Sequence, residues 1–458
     1  MYNELLNYYS PEIYSSSNNN EWFLYFSLAI IFLFAISLII IHLLKGRLFA
    51  LITSLIFGVF LLILFISIVN GIDIKETNSN VLEQINSIII IPSYLFIFLI
   101  TIAIPFYILF VVIEFITSST LTNIKGRTYL TSFGSLLLLS LFGIIIALLM
   151  LPIILLIPNN LFDPNIINGN VETELKPIIL WFIDWRVILF ILLFSLIFGF
   201  VLRISFRKTE KLKNINIYFQ RISKAISIYF SWVTKLVPYV ILTRMASLGL
   251  LELDEASNLF SLMIIYMVIF WFGSIIIFSS LFGFNVFLSR KQLSKKESSK
   301  ILIEQTLNVF AKQSIQASLP DTQATVRKLG VCEEISKLTP TKGVIMGMVM
   351  CNGFTPMLII LFSLMNYEQL TFTSVLITIS LVMIFAISTS GQGSADYTII
   401  MTALGIMGLP NAFYTSILLP IQEINESIIA KPNNSLGHIV ATQLTEKVHE
   451  KLKKENHI

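Results

Sequence analysis

The chain has 458 residues, 55% of them hydrophobic and only 13% charged, against about 25% charged in an ordinary soluble domain. Its formal charge is +4 at pH 7 and it holds two cysteines and four histidines, with no phosphate-binding loop, metal-ligand spacing, disulfide framework or nucleic-acid signature. A soluble enzyme and a nucleic-acid binder are therefore set aside, and the expected class is an all-α polytopic membrane protein, since helices satisfy their own backbone groups in lipid.

In chain order, the first 21 residues carry Glu4, Glu12 and Glu21 and no lysine or arginine. That start is expected to be retained rather than cleaved as a signal, with the N-terminus outside. Apolar runs long enough to cross follow at Trp22 to Leu44, Leu48 to Val69, Ser87 to Ile116, Ser132 to Ile157, Val187 to Ile204, Ala225 to Leu248 and Leu259 to Leu288. The basic loops between them, Lys45 with Arg47, Lys125 with Arg127, Arg203 to Lys213, and Arg290 to Lys300, all fall on one side under this count. The intervening loops hold Asp163, Glu172 and Glu174, or Glu252, Asp254 and Glu255. Glu114 and Arg244, near span ends, read as interfacial residues or as members of ion pairs. Cys332 and Cys351 read as small apolar residues.

From Ile301 the pattern changes. Apolar stretches shorten and carry polar breaks: AKQSIQASLPDTQ within Ile301 to Arg327, MCNGFTP within Gly343 to Leu364, STSGQGSAD within Thr371 to Leu409, and QEINES within Asn411 to Ala430. A full crossing at Ile301 to Arg327 would put Arg327 and Lys328 outside, so this segment is expected to enter and leave from one side. The same logic makes Thr371 to Leu409 a hairpin from the other side and leaves the C-terminus cytoplasmic. The expected fold has about nine spanning helices and two re-entrant hairpins in an inverted repeat, with broken helix ends meeting at mid-membrane. Residues 1–300 are expected as scaffold and oligomerisation helices with part of the moving domain, 301–430 as the transport core, and 431–458 as a cytoplasmic tail.

This arrangement resembles the dicarboxylate/amino acid:cation symporter family, and most its bacterial cystine-uptake branch. The likeness runs through the extra first helix, AIPFYILFVVIEFITS at Ala103 to Ser118, WVTKLVPYVILTRMA at Trp232 to Ala246, and SLPDTQATVRKLGVCEEI at Ser318 to Ile335. It implies symport of an amino acid such as cystine by elevator-like motion in the plasma membrane, a homotrimer, no cofactor, and Na+ or H+ as coupling ion.

The family's serine-rich tip falls on Ser314, Ile315, Gln316 and Ala317, and its cation motif on Gly347 to Cys351, with Asn352, Gly353 and Thr355 one turn on. The second tip falls on Ser390, Gly391 and Gly393. In the last helix the amine-holding aspartate falls on Asn425, and the arginine that holds a side-chain carboxylate on Ile428. The candidate substrate residues are thus Ser314, Gln316, Ser318, Thr355, Ser390, Gly391, Gly393, Asp396, Asn425 and Glu426, and the candidate coupling residues Gly347, Asn352 and Glu423. Each has a plainer reading. Serines cap helix ends, Asn352 and Thr355 satisfy carbonyls freed by Pro356, and Glu423 or Glu426 pairs with Lys431. Loss of the motif residues also suits a transport-inactive paralogue serving as scaffold, sensor or passive anion pathway.

Overall fold

The computed structural model describes residues 21–71, 79–118, 126–157, 185–206, 210–250, 253–289, 293–312, 314–367, 369–386, 395–409 and 418–455. Among these residues there is no strand. The helices are α1 Glu21–Lys45, α2 Arg47–Gly71, α3 Ser79–Ile89, α4 Ile91–Ser118, α5 Gly126–Leu149, α6 Trp185–Phe206, α7 Glu210–Val233, α8 Val237–Leu248 and α9 Leu253–Leu288. They continue with α10 Lys295–Lys312, α11 Leu319–Lys328, α12 Glu333–Met346, α13 Thr355–Asn366, α14 Phe372–Ala386, α15 Ala395–Ile406, α16 Leu419–Asn425 and α17 Lys431–Glu455.

Seven described helical stretches are long and apolar enough to cross a membrane, and each overlaps one of the seven long runs expected before Ile301. One differs in extent. The stretch expected from Ala225 begins at Asn214 and continues to Leu248, through a tight turn at Thr234–Leu236. Its first part, α7, has an amphipathic sequence, so an apolar window alone misses its start.

The chain divides into two compact units, Met1–Tyr94 with Pro238–Ala256, and Leu95–Val237 with Ser257–Ile458. The division does not fall at 300 or 430, where the sequence suggested boundaries. In the first unit, Leu38, Phe65, Ile85 and Leu242 share one apolar cluster. Gly46, at φ 85°, makes the joint between α1 and α2 in a left-handed conformation that glycine tolerates. Arg244 is 3% exposed, so it lies inside this unit rather than snorkelling to an interface.

The second unit is built around α13, whose residues from Thr355 to Leu364 are all buried. A helix apolar on every side is a central helix, and α5, α14 and α15 pack against it. Helices α10 and α11 pack together around the tip at residues 314–318, and α14 packs with α15. The last helix does not end at Ala430. Helix α17 carries on to Glu455, and Asn433, Asn434, Ser435, Leu436, His438, Ile439 and Thr442 are buried. The segment expected as a tail from 431 is therefore, through Glu455, a helix packed on α5, α10 and α12. Its lysines other than Lys431 sit at the far end, which is why composition made it look like a soluble tail.

Candidate functional site

Two helical paths of the second unit pass through a π-turn next to a proline. Helix α12 stops at Met346, residues Gly347 to Val349 leave the helix, and a π-turn at Met350–Phe354 leads into α13. Pro356, in the first turn of α13, has no N–H to donate, so the ordinary ladder cannot run through this point. The Phe354 N–H reaches back five residues to Val349 O at 2.9 Å. Helix α16 likewise passes through a π-turn at Glu426–Ala430 into α17, with Pro432 in that helix's first turn. Single π-turns of this kind are frequent at functional sites.

The two π-turns meet. The Cys351 thiol donates to Glu426 Oε2 at 3.0 Å, and Asn434 Nδ2 donates to the same sulfur at 3.1 Å. Asn434 Oδ1 accepts the Met350 N–H at 2.8 Å, which ties the start of one π-turn to the helix that follows the other. On the far side, Tyr266 donates its hydroxyl to Gln422 Oε1 at 2.6 Å, and Gln422 Nε2 donates to Glu426 Oε1 at 3.2 Å. Two donor chains thus converge on one carboxylate. Glu426 is 1% exposed and Cys351 2%.

Glycines admit this approach. A Cβ on Gly143 of α5 would overlap Val349 O, and one on Gly353 would overlap Ser140 O. A Cβ on Gly343 would come within 2.7 Å of the buried His438 ring. Helix α5 is further pinned by Ser132 to Thr339 at 2.9 Å, Ser135 to Thr445 at 3.3 Å and Thr128 to His449 at 3.0 Å. Buried hydroxyl pairs of this sort fix register between helices that apolar packing alone would let slide.

The candidates named from sequence divide. Asn352 donates Nδ2 to the carbonyl of Ala386, the last residue of α14, so it joins the broken helix to the second hairpin at 3.2 Å. Thr355 is buried beside that turn, and Gly347 lies against Leu136 of α5. Asn425 points elsewhere. Its Oδ1 accepts from the Trp271 indole at 2.9 Å, and the adjacent Glu426, which opens the second π-turn, is the residue that meets the first.

At the first tip, the Ser314 hydroxyl accepts the Ala317 N–H and the Ser318 hydroxyl donates to Ser314 O, both contacts within the turn. Gln316 is exposed there. Lys312 and Asp321 pair across the same tip at 2.5 Å. Glu423 lies in α16 and Asp396 in α15, and their side chains are outside the described residues, as are Ser390, Gly391 and Gly393 altogether.

Sequence reasoning missed Cys351, read as an inert apolar residue, together with Gln422, Asn434 and Tyr266. A signal was present for two of them: Cys351 stands inside MCNGFTP, and Asn434 stands two residues after Pro432, which breaks the helix ladder. Glu114 lies within electrostatic range of the buried Lys342, as an ion-pair reading of it requires. Among the described residues no group of three or more histidine, cysteine or acidic side chains is placed to hold a metal.

Among curated proteins none matches the chain in sequence. The model of the sodium:dicarboxylate symporter family matches residues 43–448, which take in both hairpins and both interrupted helices, and the chain belongs to that family.

Proposed function

We propose that this protein carries an amino acid or a related small solute, with cystine the first to try, by elevator-like movement of the interrupted-helix bundle, and that Glu426 receives the substrate's ammonium group. The coarser statement follows from membership: the chain is a multi-pass, cation-coupled secondary transporter of small molecules. The observation that supports the finer reading is the Glu426 carboxylate, which opens one π-turn and is approached by the Cys351 thiol of the other and by Gln422 of α16. An ammonium group on the substrate is the charge complement of a carboxylate at membrane depth.

The position where the resemblance implies an arginine carries Ile428, and Ile429 follows. A bidentate partner for a second carboxylate is lost with it, which favours solutes other than acidic amino acids. We further read the assembly as a homotrimer in the plasma membrane, with the C-terminus inside.

The test is uptake into proteoliposomes with an imposed sodium or proton gradient, alongside thermal stabilisation of the purified protein by a panel of amino acids and dicarboxylates, since a ligand of the folded state raises its Tm. Stimulation by one gradient and stabilisation by cystine or a neutral amino acid is the expected result. No stabilising solute and no stimulated uptake would overturn the reading and favour the transport-inactive scaffold or passive anion pathway.

A further inference from the structure

Away from the π-turns, a second feature forms where α9 ends, α10 begins and α17 ends. Asn285 of α9 donates to Leu436 O at 3.0 Å and accepts from Gln443 Nε2 through its carbonyl at 3.4 Å. Gln305 of α10 donates to the Ser435 hydroxyl at 3.1 Å. Stepping back nine residues from Gln305 to Lys296 covers about 14 Å of helix, as does stepping forward from Ser435 to Leu444. Because α9 and α17 run the same way and α10 returns, Lys296 comes level with Leu444, near the end of α9.

The exposed faces there share a pattern. On α10 the exposed positions include Lys296, Lys300, Ile303, Glu304 and Leu307, and on α17 Leu444, Lys447, Val448, Lys451 and Lys454. Lys296 and Lys300 of α10 and Lys447 and Lys451 of α17 lie toward this end of their helices, with Ile303, Leu307 and Leu444 closer to the middle of the bundle. Lys447 Nζ stands 5.7 Å from the ring centre of Phe287, which is 77% exposed. Of the acids near these lysines, Glu297 is engaged: its carboxylate accepts the Ser294 N–H at 2.9 Å and the Ser294 hydroxyl at 2.8 Å. Lysines toward the end of the bundle with exposed apolar side chains beside them match the boundary between acyl chains and phosphates.

We infer that Phe287, Lys296, Lys300, Lys447 and Lys451 form a binding site for an anionic phospholipid of the adjoining leaflet, the lysines taking the headgroup phosphate and the exposed apolar residues its acyl chains. The complementarity is of charge with phosphate and of apolar surface with hydrocarbon, and both halves are needed for a lipid rather than a soluble anion. The site belongs to the interrupted-helix bundle, and it does not depend on which solute that bundle carries.

The full-length protein in a neutral detergent is titrated with phosphatidylglycerol, phosphatidylcholine or glycerol 3-phosphate, reading Tm and, by native mass spectrometry, retained lipid. Phosphatidylglycerol should raise Tm and stay bound at concentrations where the other two do neither. The variant K296Q/K300Q/K447Q/K451Q should need at least about tenfold more of it, in line with the usual contribution of a lysine near an anionic surface. The two pairs, K296Q/K300Q and K447Q/K451Q, are read separately so that a folding defect in the combined variant does not obscure the result. An equal effect of phosphatidylcholine, an equal effect of glycerol 3-phosphate, or an unchanged titration in both paired variants would each overturn the assignment.

Discussion

Cys351 and Glu426 stand 3.0 Å apart, thiol to carboxylate, each on the π-turn of a different interrupted helix. Glu426→Gln keeps the shape and the Gln422 contact but removes the charge. It should abolish stabilisation by an ammonium-bearing substrate and lower its uptake at least tenfold, on the reading that Glu426 receives the ammonium. Ligand-dependent Tm and uptake check this, and unchanged affinity for such a substrate would sink the assignment of Glu426.

Cys351→Ala leaves Asn434 Nδ2 and one Glu426 oxygen a partner short inside the protein. The expected cost is about 1–3 kcal/mol of stability, with Cys351→Ser retaining most of it because a hydroxyl both donates and accepts. Denaturation in one detergent for all three proteins reads the difference. Equal stability of the alanine and parent proteins would show that the thiol is a bystander.

Trp271→Phe removes the indole donor to Asn425, whose Nδ2 is already buried without a partner among the described residues. The variant should lose about 1–3 kcal/mol while its substrate affinity, measured at a temperature where it is folded, stays within a few-fold. A large affinity loss with intact stability would return Asn425 to the binding role that counting along the sequence suggested.

Gly353→Val should be among the most damaging single changes, because even a Cβ overlaps Ser140 O, which belongs to helix backbone and has little room to give. Overpacking of this kind costs roughly 1–3 kcal/mol or more. Gly134→Val is the control, since nothing lies within 4 Å of its added Cβ. Similar yields and Tm for the two variants would refute the close helix approach.

Hydrogen bonds from the Ser294 N–H and hydroxyl hold the Glu297 carboxyl below its ordinary value of 4.5. A lowered native value means that the cap is fully formed above the ordinary value and is lost as pH falls through the lowered one. Amide exchange at residues 295–299 should therefore speed up on acidification, after correction for intrinsic rates. Glu297→Gln should flatten that pH response. If parent and variant respond alike, the cap is not what holds the start of α10.

The spans and hairpins were legible because the bilayer imposes a length and a polarity on any crossing helix. Trp22 to Leu44 and Leu259 to Leu288 could be read from apolar length alone, and the polar breaks at SIQASLP and MCNGFTP marked where helices stop. The choice between Asn425 and Glu426 was not legible in the same way. Counting along a helix assumes about 3.6 residues per turn, and a π-turn admits one extra residue, so the facing residue slips by about 100°. The segment after Ala430 was misread for a related reason. Polar residues such as Asn433, Asn434 and Ser435 look like solvent-facing positions until partners such as Met350 and Gln305 bury them.

What the sequence determined by itself was the solvent: composition, run length and the spacing of basic loops demand a bilayer, helices and interrupted segments, because those follow from transfer energies that act residue by residue. What only the tertiary structure decided was which polar group meets which. The pairing of Cys351 with Glu426, the diversion of Asn425 to Trp271 and the burial of α17 depend on contacts between residues tens to hundreds of positions apart, and on two π-turns whose extra residue sets the phase of each helix.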